Sequence, residues 1–262
     1  MSMNKSKIGY TNDQYGNEPG KVPVYGWNPG GFGCTGGCKC CWARPLGKRQ
    51  AHNCEKCANF EVHIHPERLP WPAKKKKPGV VLVNFTCDTW DPARSGMLER
   101  DAMLEAAHQA PHHTYVWLTQ HPERIKWLTP APPNWYFGCT IRTQAEADER
   151  LPIFLDIPGN LWLSMEPLWG AIAVNDEQAG ARLASYGNLK GIIVGHDNRR
   201  RAPGTDTLDH IRSVVQQCKA AGVSVYVKQI QHQGRFLRAS HPDEFQLYPA
   251  DLQVRDLPWS MP

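Results

Sequence analysis

"WYFGCTIRTQAEADERLPIFLDIPGNLWLSM", residues 135–165, decides the fold. It opens on a short aromatic and apolar run, "WYFGCT" (135–140), and closes on another, "LWLSM" (161–165). Between them, "TQAEADERL" begins at Thr143 and carries Glu146 three residues on, the pattern of a capped helix start. The stretch therefore reads strand, helix, strand. A helical crossover of this length returns the chain to a parallel strand.

The pattern repeats in both directions. "VPVYGW" (22–27), "VVLVNF" (80–85), "TYVWLT" (114–119), "GIIVG" (191–195) and "SVYVKQI" (224–230) are further buried-strand candidates, β-branched or aromatic and flanked by turn residues. In "DTLDHIRSVVQQCKAAG", Leu208, Ile211, Val215 and Cys218 share a helix face, with Asp206 and Gly222 as the two caps. Leu98, Ala102, Ala106 and Ala110 mark another helix face, and "HPERIKWL" (121–128) a short helix. Seven strands without a dinucleotide fingerprint predict an α/β fold, a complete or partial (β/α) TIM-like barrel with an irregular Cys/His-containing insertion after the first strand. One domain over 1–262 is expected, with 1–20 a loose polar arm and 44–79 the insertion.

The composition bounds the partners. Of 262 residues, 41% are hydrophobic and 21% charged, ordinary for a globular chain able to bury its own core. No run approaches a membrane span, and residues 1–20 lack a signal-peptide core, so a cytoplasmic protein with reduced thiols is expected. Nine clustered cysteines in that setting favour metal binding or catalysis over disulfides. The net charge of +5 permits a polyanionic partner without requiring one. "KKKK" (74–77) reads as a solvated loop.

Four of the cysteines fall in "GFGCTGGCKCCWARPL" (31–46), after the first strand. Cys34, Cys38 and Cys41 have the spacing C-x3-C-x2-C. Three thiolates so spaced can hold three corners of a 4Fe–4S cube and leave one iron open for a reacting ligand. Gly33, Gly36 and Gly37 let the backbone fold closely around such a group. A structural zinc site on the same thiols is the alternative. Cys40, next to a ligand, is read as a bystander.

A second constellation lies in "AHNCEKCANFEVHIH" (51–65). Cys54 and Cys57 have zinc-knuckle spacing, and His63 and His65 fall on one side of an extended segment. These four fit a zinc ion that anchors the insertion. Two plain thiols beside two histidines, or a second iron–sulfur cluster, are the alternatives.

The C-x3-C-x2-C motif resembles that of the radical S-adenosylmethionine (SAM) superfamily. More narrowly, "YGWNPGGFGCTGGCKCCWA", "FEVHIHPERL", "VLVNFTCDTWDP", "HHTYVWLTQHPERI", "SMEPL", "GIIVGH" and "VYVKQI" resemble a phage and prophage family of three-cysteine-motif proteins related to radical SAM enzymes. The chain departs from the expected pattern at "VGHDNRR" (194–200), where a Gly-Gly-Glu-Ser-like turn would stand, so no role is carried to His196 and Asp197. The resemblance implies an iron–sulfur enzyme that takes an electron from a donor and cleaves SAM to a 5′-deoxyadenosyl radical. It implies that Asn84, Thr86 and Asp88 meet the SAM amino group, that Thr140 and Arg142 meet its ribose, and that Glu166 and Lys228 face substrate or SAM from the far side. Trp27, Trp42 and Trp90 are candidates either to stack on adenine or a base, or to pack the core. A nucleic acid or nucleotide is the expected substrate class. The competing functions are a non-catalytic, metal-stabilised binding protein and a metal-dependent hydrolase using His63, His65 and Asp88.

Overall fold

The computed structural model describes residues 3–6, 8–39, 41–94, 97–125, 131–174, 187–197 and 207–261. Cys40 and Asp206, for which roles are expected above, lie outside the described residues.

The strands are β1 (Asn4–Lys5), β2 (Val24–Trp27), β3 (Val80–Val83), β4 (Thr114–Thr119), β5 (Trp135–Thr140), β6 (Asn160–Met165), β7 (Leu189–Gly195), β8 (Ser224–His232) and β9 (Arg235–Arg238). The helices are α1 (Ala43–Lys48), α2 (Glu55–Asn59), α3 (Trp71–Lys74), α4 (Met97–His108), α5 (Gln144–Phe154), α6 (Thr207–Ala221) and α7 (Pro242–Phe245). All nine strands join one sheet in chain order, β1 to β9. Pairing is parallel from β2 through β8 and antiparallel at both edges, β1 on β2 and β9 on β8. The result is a mixed α/β fold on a mostly parallel sheet. No described pairing joins β8 back to β2, so complete barrel closure is not seen among the described residues.

The parallel strands are buried on both faces, which is why they read as continuous apolar runs rather than alternating ones. The sheet is strongly curved. Phe85, just past β3, and Trp162 of β6 stack with ring centroids 6.4 Å apart. On a flat sheet strands so placed would stand roughly 14 Å apart, three spacings of ~4.8 Å. Gly138 permits this closeness. The Trp162 indole lies over it, where a Cβ would meet ring atoms at 2.3 Å. From there the indole N–H donates to the Trp117 carbonyl of β4 at 3.2 Å.

Two helices follow the sequence reading and one departs from it. Ile211, Val215 and Cys218 of α6 are buried, and Gly222 ends the helix at φ +66. Thr143 caps α5 by accepting the Glu146 N–H. The α4 face departs at its first turn, where Leu98 is 84% exposed, while Ala106 and Ala110 are buried as expected, with Met103, Leu104 and Ala107 beside them.

Residues 1–20, expected to be a loose arm, are packed over much of their described length. β1 pairs with β2, and Met3, Tyr10 and Tyr15 are buried. Tyr10 touches Phe85, Trp162, Tyr226 and Trp259 edge-on or tilted. Aromatic side chains in a polar segment gave the arm enough apolar surface to order itself, a signal its overall polarity masked.

Candidate functional site

The C-terminal ends of β2 through β8 converge on one cavity of about 780 Å³. Every parallel strand contributes a lining residue: Cys34, Cys38 and Cys41 after β2, Asp88 after β3, Gln120 after β4, Arg142 after β5, Glu166 after β6, His196 after β7 and Lys228 within β8. This is where parallel α/β sheets with sequential order carry their sites.

The cysteine loop is held from several sides. Thr35 donates its backbone N–H and its hydroxyl to the Asp91 carboxylate, at 2.6 and 2.9 Å. Gly33 pairs with Cys87 in a parallel bridge, and a Cβ there would lie 1.9 Å from the Glu61 carbonyl oxygen. Gln120 donates its amide N–H to the Cys38 sulfur at 2.9 Å, and Arg142 donates to the Gln120 amide oxygen at 2.8 Å. Glu146 fixes Arg142 in turn, accepting from its guanidinium and its backbone N–H. The capping box at α5 is therefore half formed, since Glu146 serves Arg142 rather than Thr143. Burial pushes the Cys34 thiol up to about 12, and the Cys87 thiol likewise. Both are therefore protonated at neutral pH, and a metal or cluster bound at Cys34 would have to displace that proton.

Asp88 and its neighbours are more constrained than the sequence suggests. The Asp88 carboxylate accepts from the Thr119 hydroxyl, the Gln120 N–H and the Trp90 N–H. Burial raises its pKa, opposed by those same donors. With its oxygens occupied, Asp88 acts as the brace of the Thr119–Gln120 turn rather than as a free ligand group. Asn84 is not in the cavity lining. Its side chain accepts from Gly30 N–H and donates to Thr89, because it bridges the two loops beneath the cavity. Thr86 lines the cavity but donates to the Gly31 carbonyl. Thr140 and Arg142 both line it, as does the ion pair of Glu166 with Lys228, which Gln229 supports at 2.9 Å. Trp27 and Trp90 are core residues, whereas Trp42 lines the cavity and is 42% exposed. Cys139 and Cys218 are buried core thiols. His196 and Asp197 also face the cavity.

Four residues that matter here carried no assigned role in the sequence reading. Gln120 stands at a strand end, a position that signalled it. Asn28, likewise at a strand end, has a buried side-chain oxygen that accepts no hydrogen bond, and it lines the cavity. Asp91 and Arg94 gave no signal beyond their place in "TWDPAR", because their partners lie far along the chain. Arg94 is buried and donates to the Asp88 carbonyl and the His63 carbonyl, both at 2.8 Å.

Beside the cavity, Cys54, Cys57, His63 and His65 bring one ligand atom each to within 4.8 Å of one another, a group able to hold a metal ion such as zinc. Cys57 and His63 are buried, and Cys54 opens α2 as its N-cap. Among the described residues this is the one group of three or more His, Cys, Asp or Glu side chains gathered tightly enough for a single ion. Cys34, Cys38 and Cys41 share the cavity but are not gathered in that way.

A curved, mostly parallel sheet with a thiol-lined cavity at its strand ends, beside a Cys2His2 group able to hold a metal ion, defines a mixed α/β protein. The chain belongs to the family described as "Protein of unknown function (DUF5131)", whose model matches residues 23–245. Neither the curated proteins nor the solved structures yield a match. No helix among the described residues is long and apolar enough to cross a membrane.

Proposed function

We propose that this protein is a radical SAM-type iron–sulfur enzyme on a partial (β/α) barrel. The observation that carries the reading is the arrangement of Cys34, Cys38 and Cys41, spaced C-x3-C-x2-C after β2 and facing one strand-end cavity. A tetrahedral ion with 2.3 Å bonds would need sulfurs ~3.8 Å apart. Three thiolates at the C-x3-C-x2-C spacing would hold three corners of a cube and leave the fourth iron open for SAM. The donor set fits as well, since Gln120 supplies an N–H to one sulfur and Gly36 and Gly37 add no side-chain bulk beside the thiols. A cluster held there would supply the electron that cleaves SAM to 5′-deoxyadenosine by way of its radical.

The chain's own residues would then bind and orient. The unpartnered Asn28 oxygen is an acceptor for a cationic or N–H-bearing part of SAM. Thr140 and Arg142 line the cavity and would meet the ribose, with Asp88 bracing Gln120 beside Cys38. The Glu166–Lys228 ion pair, also in the lining, would meet substrate or SAM. Five basic side chains in the lining (Lys5, Arg68, Arg142, Lys228, Arg238) against three acidic (Asp88, Glu166, Asp197) favour an anionic substrate such as a nucleotide or nucleic acid.

The test is anaerobic reconstitution with iron and sulfide, reduction, and addition of SAM. About four irons per chain and release of 5′-deoxyadenosine are expected, with both lost in the Cys34→Ala, Cys38→Ala and Cys41→Ala variants. A reconstituted protein without iron, or one that neither binds nor cleaves SAM, overturns the reading. A metal-stabilised binding protein then becomes the better account, because the Cys2His2 group supports it independently.

A further inference from the structure

The Cys2His2 group has the features of a built metal site. Cys57 Sγ stands 3.3 Å from both His63 Nε2 and His65 Nε2, and Cys54 Sγ stands 3.7 Å from His63 Nε2. The two Nε2 atoms are 3.0 Å apart. A tetrahedral zinc ion with 2.0–2.3 Å bonds places its ligand atoms roughly 3.3–3.8 Å from one another. The other ring nitrogens settle the tautomers. His63 Nδ1 donates to the Glu61 carbonyl at 2.8 Å, and His65 Nδ1 faces the Glu67 carboxylate at 3.1 Å. Both neutral rings therefore turn Nε2 lone pairs toward each other and toward the two sulfurs, an acceptor set that one metal cation can bridge. Carbonyl and carboxylate partners on the far ring nitrogen are the usual second shell of zinc histidines.

The group is also joined to the cysteine loop. Gly31 sits directly against it at φ +61, and a Cβ there would meet His63 Nε2 at 2.8 Å and Cys57 Sγ at 2.9 Å. The His65 N–H donates to the Pro29 carbonyl at 2.7 Å. Arg94 ties the His63 carbonyl to the Asp88 carbonyl and reaches the Gly30 carbonyl at 3.5 Å. Residues 29–33 thus rest on the four ligands, and Cys34 follows at once.

From this geometry we infer that Cys54, Cys57, His63 and His65 bind one Zn²⁺, and that this ion clamps the 29–33 turn that delivers Cys34 to the cavity. The ion is structural: four protein ligands close its coordination and leave no position for substrate. Its role is to hold the loop of the neighbouring site in register, so its loss acts on Cys34 as well as on residues 44–79.

Metal analysis of the full chain tests the binding. The wild type and the Cys34→Ala/Cys38→Ala/Cys41→Ala variant should each retain about one zinc per chain, so the outcome does not depend on the cluster reading. Cobalt substitution of the wild type should give the intense visible bands of a tetrahedral ion and a sulfur-to-cobalt charge-transfer band. Cys57→Ser/His63→Ala should lose both metals, and Gly31→Ala should weaken zinc binding roughly 10–100-fold. Folded wild type that takes up neither zinc nor cobalt overturns the inference, as does undiminished binding by Cys57→Ser/His63→Ala. Hydrogen exchange on the wild type tests the clamp. Chelation should speed exchange of the 30–34 amides along with those of 54–65, and a rise confined to 54–65 shows that the ion does not hold the loop.

Discussion

At the scale of single residues, position along a strand matters less than what each side chain is already committed to. Gln120 joins β4 to the cysteine loop, since its N–H donates to Cys38 while Arg142 fixes its other end. An N–H on a cluster sulfur favours the more negative, reduced state. Gln120→Leu should therefore make the reconstituted cluster harder to reduce, by about the 1.5–3 kcal/mol of a hydrogen bond to a charged group. Potentiometric titration checks this, and an unchanged potential would show that the bond carries no weight. His113 is committed differently. Its ring is buried, Nε2 donates to the Pro72 carbonyl, and Nδ1 has no partner. Burial, aided by His112, lowers its pKa from 6.5 to about 4. Between those values the unfolded chain binds a proton that the folded chain refuses, so this contribution is complete above pH 6.5 and is lost as pH falls toward 4. The slope is at most about 1.4 kcal/mol per pH unit. Urea midpoints of the wild type should fall over that range, and His113→Gln should flatten the fall. An equal slope in the variant would assign the effect to other groups.

At the scale of elements, the turn before Cys34 is the least tolerant piece of the fold. Gly33 has φ +152, and its missing Cβ makes room for the Glu61 carbonyl at 1.9 Å. Gly33→Ala should cost about 1–3 kcal/mol from backbone strain alone, and more as the turn shifts away from residue 61. A thermal melt of the apoprotein measures it, and a change within error would mean the turn can move without loss. The seven parallel strands were legible in the sequence because burial on both faces writes itself as short, continuous apolar runs. The α6 face was legible for a related reason, since one side of that helix is consistently apolar. The first turn of α4 was not: Leu98 looks like a core residue by spacing yet is exposed, while Ala106 and Ala110 of the same expected face are buried. The Cys2His2 group was legible from local spacing and Gln120 from its place at a strand end, whereas Asp91 and Arg94 were not, because each acts through partners that only the fold brings near.

At the scale of the whole molecule, an open sheet must fill the gap between its first and last parallel strands. Here the two chain termini do so. The tail pairs with β8, Val227 N–H donating to Val254 and Asp256 N–H to Val225, each at 3.0 Å. Facing it, Tyr15 donates its hydroxyl to the Trp259 carbonyl, and the Tyr226 hydroxyl donates to the Gly9 and Thr11 carbonyls. Tyr10 lies at the centre, its ring against Phe85, Trp162, Tyr226 and Trp259, its hydroxyl 3.5 Å from Glu166, and Lys228 Nζ 4.9 Å from its ring centre. The plug thus belongs to the core and to the cavity wall at once. Its energy lies in the ring rather than in the long hydroxyl contact. Tyr10→Ala should cost about 3–5 kcal/mol, the range for removing a buried aromatic ring. Tyr10→Phe should cost no more than the ~1 kcal/mol of a single hydrogen bond. Urea unfolding of the two variants separates the terms. If Tyr10→Ala cost as little as Tyr10→Phe, the arm would be a passive cover, and the sheet would have to be stable without its plug.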